Sequence, residues 1–339
     1  MLNHIRDGQH RQTITKGKAN YWPNRFENAP PAPKEQGGHE HHHGTRLTAA
    51  KARARAPKFQ EHFSQATLFY NSMSPLEKQH IANALGFELS HVDEPEVCEA
   101  FIHRVLNHVD HELACKVAEK IGATAPASAA RPNHRLVAKN LTQFDFPASK
   151  PTIKSRRIAI LVGDGFDEAF VVGIKAAITA SSALAFVIGP RRGPIKSAGG
   201  STVKADFHLE SGRSTMYDAI IIPPGAASAA TLSQDGRAVH WVREAFGHCK
   251  VIGAVGEGVA FVREALGIAS LQFSATSGDD TVVTDYGIVT TGRYSVGSAA
   301  ADIQIGKEEK GWFSKFAYEL SQHRCFQREL DGLLSKVAF

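Results

Sequence analysis

Three short segments combine glycine with acidic or turn-forming residues, as catalytic loops do. Residues 163–168 read Gly-Asp-Gly-Phe-Asp-Glu, residues 223–226 read Pro-Pro-Gly-Ala, and residues 253–258 read Gly-Ala-Val-Gly-Glu-Gly. The third segment is typical of a sharp turn from a strand into a helix, where hydrolases hold a strained serine or cysteine nucleophile. Gly256 occupies the turn position here. A glycine relieves the backbone strain but supplies no reacting atom, so no nucleophile is predicted at this turn.

Two acids, Asp167 and Glu257, lie in the first and last of these segments. We expect them at the same rim as Gly256. A close pair of carboxyl groups can act in acid/base catalysis or bind a cation, but two solvated rim acids are the favoured interpretation. A phosphate cradle is disfavoured, because the third glycine of a dinucleotide loop is absent and the neighbouring acids would repel phosphate.

Other clusters of reactive side chains predict no further site. Residues 39–43 read His-Glu-His-His-His and could bind a divalent metal, but the surrounding segment predicts no scaffold, so no metal site is expected. The basic residues between Lys51 and Lys58 lack the interleaved aromatic rings of a nucleic-acid-binding surface. Cys249 precedes an apolar strand and is predicted to be a buried structural thiol rather than a redox centre.

The elements that must position these loops alternate between strands and helices from residue 153 onward. Near-continuous apolar strands separated by helices are typical of a parallel sheet covered on both faces. The sequence therefore predicts a doubly wound, flavodoxin-like domain over residues 153–339, with ligands at the carboxyl ends of the strands. The predicted strands are 158–162, 183–188, 219–222 and 251–255, the predicted helices lie near 167–181, 236–247, 258–266 and 307–334, and a hairpin joins 282–284 to 288–290.

The N-terminal part divides into three segments. Residues 1–60 hold several prolines and a glycine-rich tract without sustained periodicity, which indicates an extended arm. Residues 61–122 predict a small all-α module, in which Ser74 to Glu77 forms a capping box and Asp110 caps a last helix that ends at Gly122. Residues 123–152 are rich in Ala, Pro and Ser and are predicted to be a linker.

Length and composition exclude several classes of protein. The chain has 339 residues, of which 42% are hydrophobic and 22% charged, with a net charge of +5, so it is neither mainly disordered nor strongly basic. No apolar run approaches the roughly 20 residues that span a bilayer, and residues 1–10 lack the apolar core of a signal peptide. The four cysteines form no CxxC pair, which argues against a zinc ribbon. The compartment is left open.

Several longer motifs carry a resemblance to haem catalases. Residues 20–26 (Asn-Tyr-Trp-Pro-Asn-Arg-Phe), 65–70 (Gln-Ala-Thr-Leu-Phe-Tyr), 74–81 and 107–111 resemble the catalase segment where the barrel gives way to a wrapping arm and a helical domain. Residues 153–339 resemble the extra C-terminal domain of the large-subunit catalases, most clearly at 189–194, 213–219 and 240–250. This domain in turn is similar to the class I glutamine amidotransferase-like superfamily.

The resemblance has definite functional implications. Family catalysis, the disproportionation of hydrogen peroxide, uses haem with a distal His and Asn and a proximal Tyr, none of which this sequence matches, because it starts after them. The resemblance therefore implies a non-catalytic C-terminal part without a cofactor of its own. It serves assembly and stability, with the catalase barrel domain and the other subunits of a homotetramer as partners; no nucleic acid or membrane partner is implied.

The amidotransferase-like relatives have a cysteine where Gly256 stands and often a histidine at Glu257, while their acid matches Asp167. A vestigial site is expected. A holdase-like or small-molecule-binding module, and a catalase active in its own right, remain alternatives.

Overall fold

The computed structural model describes residues 24–26, 34–36, 53, 55–146, 150–278, 280–297, 299–303 and 311–338. Contacts divide the chain into two units, Met1–Glu61 and His62–Phe339. The first unit shows a 3₁₀ turn at Lys34–Gln36 and a short helix α1 at Pro57–Gln60. Most of the predicted arm, including the histidines at 39–43, lies outside the described residues. No helix within the described ranges is both long and apolar enough to cross a membrane.

The second unit opens with a helical module whose predicted caps are confirmed. The Glu77 N–H donates to Ser74 Oγ at 3.3 Å, and Glu77 Oε2 accepts the Ser74 N–H at 2.9 Å, which completes the capping box. Asp110 accepts the Leu113 N–H at 3.0 Å, and Gly122 ends the last helix with φ +70°. The helices are α2 (Ser64–Ser72), α3 (Pro75–Leu89), α4 (Pro95–Phe101), α5 (Asn107–Val109) and α6 (His111–Ile121), with a π-helical turn at Ile102–Leu106 between α4 and α5.

The segment after Gly122 lies along this module. The side chains of Asn71 and Asn133 donate to each other, at 2.8 and 3.0 Å, and the Ala138 N–H donates to Ser72 Oγ at 3.0 Å. Thr142 and Gln143 both donate to the Glu77 carboxylate, at 2.7 and 3.0 Å. The residues predicted as a linker are thus hydrogen-bonded to α2 and α3 along much of their course.

A seven-stranded sheet forms the rest of the unit, in the order β5-β2-β1-β6-β7-β9-β8. Every pairing is parallel except β8 with β9. The strands are β1 (Arg157–Leu161), β2 (Leu184–Gly189), β3 (Gly193–Lys196), β4 (Thr202–Ala205), β5 (Phe207–His208), β6 (Ala219–Ile222), β7 (Val251–Val255), β8 (Val282–Asp285) and β9 (Ile288–Thr291), of which β3 and β4 form a separate antiparallel hairpin.

Helices cover both faces of the sheet, so the predicted doubly wound, flavodoxin-like architecture is confirmed. One core packs Phe170, Ile174, Trp312 and Phe316 against the sheet, and the other packs helices around Trp241. The helices on the first face are α7 (Glu168–Ala180) and α11 (Trp312–Ser321), those on the second are α8 (Ala226–Gln234), α9 (Gly236–Gly247) and α10 (Glu257–Leu266), and α12 (Gln327–Leu330) follows near the C-terminus.

Some predicted elements need correction. The single helix predicted near 307–334 is wrong: α11 ends at Ser321, His323 turns with φ +73°, and the short α12 and a 3₁₀ turn at Leu334–Lys336 follow. The chain turns there because the side chain of Arg328, which is fully buried, donates hydrogen bonds to the carbonyls of Tyr286 and Lys250. Helix α8 and the β3–β4 hairpin were not predicted. The β8–β9 hairpin is confirmed, with φ above zero at both Tyr286 and Gly287 of its turn.

Candidate functional site: the turn between β7 and α10

The carboxyl ends of β1, β6 and β7 open into one cleft of about 540 Å³. All three loops that the sequence singled out contribute to it, through Asp167 after β1, Gly225 after β6 and both Gly256 and Glu257 after β7. Arg293 adds a basic side chain to the lining. The three predicted site residues therefore share one rim. We name this space the elbow cleft.

Gly256 joins the last residue of β7 to the first of α10 with φ +58° and ψ −131°. Its N–H donates to Thr291 O at 3.0 Å, which ties the turn to β9. A Cβ atom at this position would lie 2.9 Å from Pro224 Cβ. A residue with a side chain would therefore meet both an unfavourable backbone conformation and a steric contact.

Each carboxylate at the rim accepts a backbone N–H. Glu257 Oε2 accepts the Gly225 N–H at 3.0 Å, so the first residue of α10 holds the residue that precedes α8. Asp167 caps α7 by accepting the Phe170 N–H at 2.9 Å. Its own N–H donates to Pro224 O at 2.9 Å. Both acids thus hold loops together, a role that their sequence spacing did not reveal.

An ion pair beside the elbow cleft was not recognised from the sequence. The Arg191 guanidinium donates to both carboxylate oxygens of Asp164 at 2.7 Å, and the Lys196 N–H adds a bond at 2.9 Å. Together they lower the pKa of Asp164 to about 2. The available signal was the pair of opposite charges after two neighbouring strands, β1 and β2.

Few of the side chains that line the elbow cleft could act in catalysis or bind a cofactor. Its described lining includes the hydroxyls of Thr276 and Ser277, the acidic residues Asp167, Glu168 and Glu257, and Arg293, but no cysteine, histidine, methionine or tyrosine. A haem requires an axial His, Cys, Met or Tyr in an apolar slot, so the cleft does not fit one. Within the described part of the chain, no group of three or more His, Cys, Asp or Glu side chains could hold a metal ion.

Cys249 lies away from this cleft, just before β7. It is 4% exposed, and burial raises the pKa of its thiol to about 11. A buried thiol with a high pKa is a poor nucleophile at neutral pH. The predicted burial of Cys249 is confirmed.

Comparison with known proteins places these domains in a family. Residues 56–121 match the family "catalase-related immune-responsive", and residues 156–293 match the DJ-1/PfpI family. All 339 residues align at 47% identity with Catalase-1 of Neurospora crassa and cover 45% of it. The chain is 45% identical to Catalase A of Aspergillus fumigatus, covering 46% of it, and 96% of the chain is 34% identical to Catalase HPII of Pseudomonas aeruginosa, covering 42%. The chain matches large-subunit catalases along its full length.

It corresponds to a C-terminal portion of such a catalase and spans less than half the length of the curated relatives it matches. The catalase-related match covers α2 to α6, the helical module. The DJ-1/PfpI match begins at Arg156 and ends at Arg293, so it contains the whole elbow with Asp167, Gly256 and Glu257.

Proposed function

We propose that this chain is a non-catalytic part of a haem catalase and serves the assembly and stability of its homotetramer. The parent enzyme would disproportionate hydrogen peroxide to water and oxygen with haem and catalytic residues outside this chain. The principal partner is then the catalase barrel domain, together with neighbouring subunits. The match to catalases along the chain's full length supports the parentage.

The uneven distribution of exposed apolar side chains supports the partner role. Eight large hydrophobic residues between residues 69 and 146 are exposed, against four among the described residues from 153 onward. An aqueous domain avoids such a concentration unless another surface covers it. We infer that the helical module together with the segment that follows it, rather than the sheet domain, contacts the barrel. The eight residues are Phe69, Phe87, Val97, Leu136, Val137, Leu141, Phe144 and Phe146.

The chemistry of the elbow supports a role other than catalysis for the second domain. Gly256 offers no nucleophile, and the carboxylates of Asp167 and Glu257 are engaged with backbone N–H groups. We propose that this elbow is a vestigial site without protease, deglycase or amidotransferase activity.

Complementation tests the partner role. The chain is co-expressed with the part of Neurospora crassa Catalase-1 that it does not match, and haem-loaded tetramer and oxygen release from peroxide are measured. Phe87, 66% exposed on α3, is replaced by Asp, and the adjacent exposed Glu88 is replaced by Ala as the matched control. Burying a charge in place of an aromatic ring should lower the complemented activity at least about tenfold.

Each outcome bears on the proposal. Recovered activity that is lost with Phe87→Asp and retained with Glu88→Ala supports it, provided that the two isolated variants melt alike. Absence of any complex between the two parts would refute it. The isolated chain mixed with haemin should show neither the Soret band of a bound haem nor oxygen release; a haem-dependent activity of the chain alone would show that it is an enzyme in its own right.

A further inference from the structure

The amino ends of three neighbouring strands bring basic side chains together on the edge of the sheet opposite the elbow cleft. Ala219 is in register with Ile158 of β1 and with Val251 of β7, so Arg157, Asp218 and Lys250 lie side by side just before them. Arg156 precedes Arg157 and pairs with Asp218.

The segment after α11 crosses beneath this edge. The Cys325 N–H donates to Cys249 O at 2.8 Å, and Arg328 Nη1 donates to Lys250 O at 2.9 Å. Arg324 immediately precedes Cys325, so these bonds bring it close to Lys250, whose charge it affects. We name Arg156, His248, Lys250, His323 and Arg324 the basic edge cluster.

The acids beside the basic edge cluster are already engaged. Asp218 lies 3.4 Å from Arg156 Nη1 and accepts the Arg157 N–H at 2.8 Å. Glu244 accepts the Ser214 hydroxyl at 2.5 Å. Two carboxylates thus face five basic side chains, and each carboxylate is already bonded to a neighbour, which leaves an excess of positive potential at this edge.

Two cationic groups of the cluster, the buried Lys250 and the half-buried Arg324, form an ion pair with no carboxylate among the described residues. Arg324 Nη1 is inaccessible to solvent and has no acceptor among the described residues. Lys250 is 2% exposed, and its ammonium group donates to a carbonyl, Ser214 O, at 2.6 Å. Burial of a cation without an opposite charge is costly, and a buried donor without an acceptor adds to that cost.

The protonation of the cluster reflects this cost. Burial and the charge of neighbouring cations lower the pKa of Lys250 to about 8 and lower the pKa values of His248, His323 and Arg324. The charged forms are therefore destabilised. An anion bound among these side chains would stabilise their charged forms and so raise their pKa values.

Access and donor geometry indicate the class of anion. His248 and His323 are exposed and Arg324 is half-buried, so part of the Arg324 side chain is open to solvent although its Nη1 is not. A half-buried guanidinium that makes no side-chain hydrogen bond within the described part of the chain, near an ammonium and two imidazoles, matches the oxygens of a tetrahedral oxyanion. We propose that the basic edge cluster binds a phosphate-type oxyanion, free or as the monoester of a small metabolite, with Arg324 as its main donor.

Calorimetric titration of the full chain tests this site, with inorganic phosphate, glycerol 3-phosphate and chloride compared at equal ionic strength. Arg324→Gln should weaken binding of phosphate about tenfold, the loss expected for one charge-assisted hydrogen bond. Arg237→Gln is the control, because Arg237 pairs with Asp235 at the opposite end of α9.

A second pair of variants keeps the test informative if Arg324→Gln does not fold. His323 has a positive φ, which Asp and Asn both tolerate, and its side chain is exposed. His323→Asp places a carboxylate at the rim, so it should abolish phosphate binding and raise the melting temperature in phosphate-free buffer relative to His323→Asn.

The outcomes are distinct. Tighter binding of glycerol 3-phosphate than of phosphate supports a monoester ligand, and the reverse order supports the free ion. The proposal is overturned if neither binds more tightly than chloride, or if Arg324→Gln and Arg237→Gln behave alike.

Discussion

Glu77 should make the helical module sensitive to acid. Its carboxylate accepts hydrogen bonds from the N–H and hydroxyl of Ser74, at 2.9 and 2.8 Å, and from Thr142 and Gln143, at 2.7 and 3.0 Å. Burial acts to raise the pKa of Glu77, but these four bonds outweigh it and lower the pKa from 4.5 to about 2. The ionised form thus joins the start of α3 to the segment that leads into the sheet domain.

The size of the effect follows from this shift. A change from 4.5 to about 2 corresponds to about 3 kcal/mol, and solvent screening of the partly exposed carboxylate reduces this to about 1–2 kcal/mol. Because the folded-state pKa lies below the unfolded value, the stabilisation is complete well above pH 4.5 and is lost as the pH falls towards 2. At pH 3 about 40% of it should remain.

Urea unfolding followed by circular dichroism measures this contribution. Glu77→Gln should lower the free energy of unfolding by about 1–2 kcal/mol at pH 7, and the gap from the unmodified chain should shrink by more than half at pH 3. Glu119→Gln, an exposed position near the end of α6, should change it by less than about 0.5 kcal/mol at both pH values. An equal gap for Glu77→Gln at pH 7 and pH 3 would refute this account.

Two further substitutions test the elbow and the buried arginine. Gly256→Cys should destabilise the domain by about 1–3 kcal/mol through its positive φ and its contact with Pro224, and its thiol should react slowly with iodoacetamide below pH 7 beside the Glu257 carboxylate. Gly236→Ala, with open space around its Cβ, should leave the melting temperature unchanged or raised; equal melting of both glycine variants would contradict the strain. Arg328→Met should cost about 3–5 kcal/mol in thermal unfolding, because three backbone carbonyls lose a charged donor, and a loss below about 1 kcal/mol would show that the buried charge contributes little.

The sheet could be predicted closely because its strands are continuous aliphatic runs. Residues 219–222 and 251–255 were predicted to the residue, since Ile and Val with few polar neighbours have no other place than a sheet covered on both faces. The last helix was extended too far because the apolar periodicity of Trp312, Phe316 and Leu320 continues without a local stop signal. The helix ends earlier because Arg328 donates to the carbonyls of Phe246 and Lys250, far away in sequence. This is a tertiary contact that local periodicity does not reveal.

In the elbow cleft, the turn at Gly256 could be predicted from the local sequence, but the hydrogen bond that Glu257 accepts could not. Gly256 lies within a pattern that only a sharp strand-to-helix turn explains. The bond between Glu257 and Gly225 joins residues 32 positions apart and depends on β6 and β7 being neighbours in the sheet. The pairing of Asp164 with Arg191 joins residues 27 positions apart and depends on β1 and β2 being neighbours in the sheet.

The position of Arg328 in the chain sets an order of events during synthesis. It follows Lys250, whose carbonyl it binds, by 78 positions, and it also binds Tyr286 O in the turn that leads into β9. At ordinary translation rates of about 5–20 residues per second, about 4–16 s would pass between the synthesis of Lys250, just before β7, and the synthesis of Arg328. During that interval the carbonyls of Phe246 and Lys250 have no Arg328 side chain to bind and are hydrated instead. The nascent domain therefore passes through a stage in which the amino ends of its strands lack this hydrogen-bond donor. A premature stop codon shortly before position 328 would make that stage permanent.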